Sequence, residues 1–458
     1  MSRQDERTRA AGRRIEAGPA LVGIALGIAF LLRTALVVGS DFPLGDGGLF
    51  VTMARDIRDA GFAIPQFSSF NTGEIPFAYP PLGLYLLALI PGDPIATERW
   101  LPLAWSMLTI PAAYLLAREF VEDHIAGLTT LLFALMPVTW AIEGGGVTRG
   151  LAFALLLWSL WAAKRALAHP SPLPILAAGL LAGLAGLSHP AVGPTWLISV
   201  VLFFALAASR RALIGLVGIL AIAGATVAPW LVFVVARYGA GVVLSAGTAH
   251  GLSETLGRVL TAGPSYIGVL DLVLPLALLG TVVVLSRGEW SLPVWLVLLI
   301  AVPGGEGRYA AIAWALLAGI GAMTVADALA APRARRFALI LGFSVMTVGA
   351  AIAGYQTFGS LSPQIRGAMI AAGDKAPAGT RFAVYVDTAA LETPVLDWFP
   401  TLSGKVSVGT FMGLEWTTAE RWSETVAIQH GIDDGEIPED ATAIFHVRNG
   451  VAYWDLLR

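Results

Sequence analysis

The sequence predicts an all-α polytopic membrane protein of about eleven transmembrane helices, followed by a small C-terminal α/β domain. Three observations carry that expectation. The chain has 458 residues, of which 56% are hydrophobic and only 13% charged, about half the charged share of a soluble domain. Its apolar residues gather in runs of roughly the length that crosses a bilayer as a helix, at 20–38, 100–119, 124–142, 149–167, 173–188, 190–208, 211–236, 265–286, 290–304, 309–330 and 336–356. From residue 357 onward the composition changes to that of a soluble domain, with 13 acidic and 7 basic residues. There RFAVYVDT (381–388) and TAIFHVR (442–448) alternate as strands do, and 416–431 reads as a helix stopped by Gly431.

Residues 1–14 are polar and carry five arginines. The run that follows is too long for a signal-peptide core and has further spans behind it, so it reads as a retained first helix after a cytoplasmic tail, 1–19. Segment 80–90 decides the topology. As a helix it covers only about 16 Å, roughly half the hydrocarbon core. If it does not cross, Arg118, Lys164, Arg165, Arg210, Arg211, Arg287, Arg333, Arg335 and Arg336 all fall in cytoplasmic connections, where basic residues belong. If it crosses, all of them face outside. The expected organisation is therefore a transmembrane domain, 20–356, in which 39–99 forms one external loop with interfacial helices, and an extracytoplasmic domain, 357–458. The protein is expected to be multi-pass in the plasma membrane.

Composition also excludes. There is no cysteine, which removes disulfides, thiolate nucleophiles and cysteine-bound zinc. The six histidines form no HExxH-type metal motif. A net charge of −3 offers nothing to nucleic acid. Only three of the 29 basic residues are lysines (Lys164, Lys375, Lys405).

The chemistry-bearing residues cluster in the external connections. Loop 39–99 holds Asp41, Asp46 and Glu74. GDGGLF (45–50) sets Asp46 before an amphipathic helical pattern, 49–60, closed by Gly61. Asp46 is either a plain helix N-cap, or a general base or metal ligand held at the membrane interface by a helix lying flat on the surface. IEGGGVTRG (142–150) combines Glu143, three glycines that let backbone approach a ligand, and Arg149, whose fork suits phosphate. The other reading is a flexible turn with a snorkelling arginine. GGEGRY (304–309) brings Glu306, Arg308 and Tyr309 to the membrane edge, where charge is costly and usually functional; anchoring to lipid phosphates is the plainer role. His189, between two spans, is a buried core histidine or a phosphate or sugar contact. His250 and Arg258 lie in the connection 237–264. In the tail, LDWFPTLSGKVSVGTFMGLEW (396–416) supplies aromatics for a core or for stacking on a sugar.

Asp46, the helix running to Gly61, and FAYPPLGLYLLALI (77–90) together resemble the first external loop of glycosyltransferase family 39. That family holds protein O-mannosyltransferases and lipid A aminoarabinose transferases, within the wider C-type fold of polyprenyl-phosphate-sugar-dependent transferases. The resemblance covers about the first 210 residues. It implies a membrane glycosyltransferase with a polyprenyl-phosphate-linked sugar donor, a protein, lipid or glycan acceptor, inversion at the anomeric carbon, and membrane lipids but no nucleic acid as partners. It implies that Asp46 acts as base or orients the acceptor. Tyr79, Arg149, His189, His250, Glu306, Arg308 and Tyr309 are the expected substrate-binding residues. Many members carry Asp-Glu where this chain has Asp46-Gly47, so Asp41 or Glu143 is the expected substitute for the second acid. No cofactor is required by the resemblance; a divalent cation is compatible with Asp46 and Glu143. Two other classes remain open: a lipid or sugar transporter or flippase, which would place charges mid-span, and a non-catalytic relative.

Overall fold

The structure, a computed structural model, describes residues 17–248, 272–302, 307–387 and 393–457. The chain begins with α1 (Ala17–Gly39), continues through two loop helices, α2 (Gly48–Asp59) and α3 (Leu82–Leu89), and enters a bundle: α4 (Pro94–Ala117), α5 (Asp123–Leu135), α6 (Arg149–Ala168), α7 (Pro172–Gly186), α8 (Val192–Ala207) and α9 (Arg210–Tyr238). After α10 (Ala240–Thr248) come α11 (Val273–Ser286), α12 (Ser291–Ile300), α13 (Gly307–Ala328) and α14 (Pro332–Thr357). Apolar helices thus stand at all eleven predicted spans. Six of them, α1, α4, α6, α9, α13 and α14, are long and apolar enough to cross a membrane, which makes this a multi-pass membrane protein. α5 stops at Leu135, short of the expected 142. Met136 precedes Pro137 and is extended, as a residue before proline is forced to be. A 3-10 turn, Pro137–Thr139, and irregular chain then lead to Glu143. α3 has eight residues and rises only about 12 Å.

Two devices hold the bundle. Arg33 of α1 is fully buried and donates to the Ser106 carbonyl and hydroxyl, both at 2.7 Å, and to the Ala134 carbonyl at 3.4 Å. It ties α1 to α4 and α5 by charge-assisted hydrogen bonds, the strong kind in a low-dielectric interior. Between α11 and α13, Gly280 and Gly321 face backbone carbonyls so closely that a Cβ on either would collide. This is the small-residue contact by which membrane helices approach.

The tail folds as α15 (Pro363–Lys375), β3 (Arg381–Val386), α16 (Val395–Ser403), β4 (Val406–Ser407), α17 (Ala419–Asp433), β5 (Ala443–Arg448) and β6 (Val451–Leu456). The short pair β1 (Phe67–Ser68) and β2 (Ile75–Pro76) belongs to the loop. The four-stranded sheet runs β4-β3-β5-β6, parallel except for β6. Phe382, Phe399 and Phe445 pack in its core with Trp398. β3 and β5 coincide with the two predicted strands.

This domain sits on loop 39–99. Leu44 bridges to both Glu143 and Ser360. Asn71 exchanges two hydrogen bonds with the Ser407 backbone, at 2.8 and 3.0 Å, and Glu74 pairs with Arg421 of α17. One expectation changes here. Helix α2 does not offer its apolar face to a membrane surface, because eight of its twelve residues are buried against α3, α4 and α16. The tail supplies the apolar partner that the local pattern left unnamed.

Exposed positions at the two ends of the bundle test the topology. Ala63 lies in the loop beyond α2 and Arg211 at the start of α9. In this cysteine-free chain, single cysteines at these positions should react with a membrane-impermeant maleimide from opposite sides. Labelling of both from one side contradicts the arrangement.

Candidate active site

Arg149 is the first residue of α6 and Arg308 the second of α13. A cation at a helix N-terminus opposes the helix dipole, so each needs an acid. Glu143 meets Arg308 at 2.9 Å and Arg149 Nε at 3.7 Å. One terminal nitrogen of Arg149 reaches both oxygens of Asp46, at 2.6 and 2.8 Å. The result is an alternating row, Arg308, Glu143, Arg149, Asp46, at the loop end of the bundle. Glycines let the two loops meet. Gly144 N–H donates to the Leu44 carbonyl at 2.7 Å and Gly145 N–H to the Asp46 carbonyl at 3.0 Å. A Cβ on Gly144 would strike that same Asp46 carbonyl.

Tyr79, the first residue of the YPPL run, hydrogen-bonds His189 Nδ1 at 2.8 Å and Thr148 Oγ1 at 3.2 Å. Thr148 adjoins Arg149, so the Tyr79–His189 pair flanks the ionic row. Phe50 and Trp416 pack edge-on against the Tyr79 ring. Tyr309 is buried, its ring 5.9 Å from that of Phe153.

Other expectations move. Asp41 is exposed and engaged by Arg366 of α15, whose hydrogen bond holds the Asp41 carboxyl below its usual range. That places its interaction with the tail rather than with the row. Glu306, His250 and Arg258 lie outside the described residues. Asp46 is not the cap of α2. Gly47 holds that position, and the helix end is satisfied by a residue 350 positions away. Asp397 Oδ2 accepts from Gly47 N–H at 2.5 Å and Gly48 N–H at 2.6 Å, and Oδ1 from Leu49 N–H at 3.2 Å.

Two site residues escape the sequence reading. One is Asp397, which looks like an ordinary acid in LDWFP. The other is Glu98, 1% exposed, with neither carboxylate oxygen hydrogen-bonded among the described residues. A Cβ on Gly47 would collide with the Glu98 carboxylate, and one on Gly144 would press on it at 3.1 Å, so Glu98 lies directly beneath both loops. A lone acid in the first turns of an apolar helix was the available signal.

Asp46 and Glu143 do not make a metal site as they stand. Each carboxylate is already held by a guanidinium. No group of three acidic or histidine side chains converges on one point among the described residues.

No family model matches the chain, and no curated protein does. Solved structures do. The Archaeoglobus fulgidus oligosaccharyltransferase, in a complex with zinc and sulfate, superposes with a TM-score of 0.57 at 16% identity, over 93% of this chain and 67% of that one. The archaeal oligosaccharyltransferase AglB from Archaeoglobus fulgidus, in complex with an inhibitory peptide and a dolichol-phosphate, gives 0.56 at 15% identity, over 94% and 69%. ArnT from Cupriavidus metallidurans in the apo state gives 0.55 at 13% identity, over 95% and 96%. The fold is therefore that of the C-type membrane glycosyltransferases.

Asp397 carries a proton linkage. Burial first, and the Asp46 carboxylate second, push its carboxyl up to about 6, from 3.8 for a free aspartate, against the pull of the three N–H groups. A proton bound more tightly in the folded state gives stability that is complete below the unfolded pKa and lost as pH rises through the folded one. Asp397→Asn removes that dependence. Between pH 4 and 7 the variant should gain on the wild type by about 2 kcal/mol, read from melting curves of both proteins. A gap that stays constant with pH contradicts the assignment.

Proposed function

We propose that this protein is a glycosyltransferase that moves a sugar from a polyprenyl-phosphate carrier to an acceptor hydroxyl on the extracytoplasmic face of the membrane. One observation carries the reading: Arg149 contacts Asp46 directly, at 2.6 Å, on a C-type glycosyltransferase fold. A phosphate drawn to Arg149 is thereby delivered beside a carboxylate able to take a proton. Dolichol-phosphate in the AglB complex is a carrier of this class.

In the proposed reaction the acceptor oxygen attacks the anomeric carbon as the bond from that carbon to the carrier phosphate oxygen breaks. The acceptor proton passes to Asp46. The departing phosphate monoester keeps the bonding electrons and needs no proton, so the two-acid scheme of glycosidases is unnecessary. Its charge is met by Arg149 and Arg308, forked donors matched to phosphate oxygens. Glu143, between the two arginines, fixes their spacing. Attack opposite the leaving group gives inversion. Tyr79 and His189 line the flank from which a sugar or phosphate oxygen is reached. No step is assigned to a metal, since Asp46 and Glu143 are engaged by arginines.

The ionisable residues of the site gather at one rim of the bundle. Arg33, the charged residue deep within α1, is committed to carbonyls and a hydroxyl. That distribution suits surface chemistry better than transport through the bundle. The orientation that exposes this rim outside puts Lys164, Arg165, Arg210 and Arg211 in the cytoplasm.

Purified protein, supplied with radiolabelled polyprenyl-phosphate hexoses or pentoses and candidate acceptors, should transfer label. Asp46→Asn should slow transfer by about 10²–10⁴-fold, with donor KM little changed. Equal transfer by the two proteins would remove Asp46 from the mechanism.

A further inference from the structure

Helix α2 begins with backbone N–H groups that have no partner inside the helix, among them those of Gly47, Gly48 and Leu49. Asp46 stands two and three residues before two of them, Gly48 and Leu49. That is the spacing at which an aspartate side chain closes on its own helix. Here it does not, because Asp397 fills the place. Asp397 is 2% exposed and accepts from Gly47, Gly48 and Leu49 at 2.5, 2.6 and 3.2 Å. The clamp extends on either side of it. Trp398 Nε1 donates to the Gly45 carbonyl at 2.9 Å, and the Thr401 hydroxyl to the Gly48 carbonyl at 2.8 Å. Gly45 N–H donates to the Gly359 carbonyl at 2.7 Å. A Cβ on Gly48 would collide with the Asp397 carbonyl, so α16 and α2 touch backbone to backbone.

We propose that Asp397 is a positioning residue for the reaction: by occupying the N-terminus of α2 it denies that site to Asp46, and so directs the Asp46 carboxylate onto Arg149 and the acceptor. This rests on the transferase reading given above. It makes the tail domain part of the catalytic apparatus, since a carboxylate 350 residues downstream sets the direction of the base. Two acids compete for one set of donors, and the competition has a definite loser. Without Asp397, Asp46 turns to the Gly48 and Leu49 N–H groups and leaves Arg149.

The test uses the full-length protein in lipid nanodiscs with Asp397→Ala and Asp397→Asn. Electron cryo-microscopy of Asp397→Ala should show the Asp46 side chain on the Gly48 and Leu49 N–H groups and parted from Arg149. Asp46 still bound to Arg149 would overturn the proposal, and this readout decides it even if the wild type transfers no sugar, an outcome that would sink the transferase reading alone. Where transfer is measurable, kcat should fall by about a hundredfold in Asp397→Ala, the scale expected when a reacting group is misplaced by an ångström. In Asp397→Asn, which keeps one acceptor oxygen and the side-chain shape, it should fall about tenfold. Donor KM should stay within about twofold in both, because Arg149 and Arg308 both keep their contact with Glu143. If Asp397→Ala does not fold, Asp397→Asn decides: wild-type kcat, or a loss seen in KM rather than kcat, overturns the proposal.

Discussion

Everything at the loop end of this protein follows from the cost of taking carboxylates out of water. A buried carboxylate that keeps its charge must find a cation or a set of N–H donors. Asp46 finds Arg149, Glu143 finds Arg308, and Asp397 finds the open end of α2. These three solutions coexist, and Arg149 links two of them by reaching both Asp46 and Glu143. They hold two loops, two bundle helices and the tail domain in register. The row Arg308, Glu143, Arg149, Asp46 is therefore less a set of pairs than a single charge-balanced chain, and its two arginines are the groups proposed to meet phosphate.

The bundle was legible in the sequence because its signal is local. Apolar runs of the right length mark helices wherever they stand, and eleven helices stand where eleven runs were read. The shortness of α3 was legible for the same reason. Boundaries were less so: Pro137 ended α5 seven residues before the apolar run stopped. In the tail, alternation placed β3 and β5 closely. The ionic row was half visible, since Glu143, Arg149 and Arg308 each stand out beside glycines at the edge of a span.

What could not be read was pairing across long separations. Nothing around position 46 shows that its helix is capped from position 397, so Asp46 invited an N-cap reading that the structure does not bear out. The amphipathic pattern of α2 marks an apolar face but not what covers it, and protein packs where a membrane surface is expected. Glu98 is hard to single out because one acid at the head of an apolar helix resembles an ordinary boundary residue. Of the two expected substitutes for a missing second acid, Asp41 pairs with Arg366 in the tail, while Glu143 lies in the ionic row. Glu98 is a further acid, buried beneath the Asp46 loop.

The proposed reaction requires Asp46 and Arg149 to act as one unit, base and phosphate ligand held together. A double-mutant cycle of Asp46→Asn and Arg149→Gln on kcat/KM for sugar transfer tests it most directly. Coupled residues give a double variant at least about tenfold better than the product of the single losses. Losses that simply multiply would mean that the two side chains serve the reaction independently, and would contradict the arrangement described.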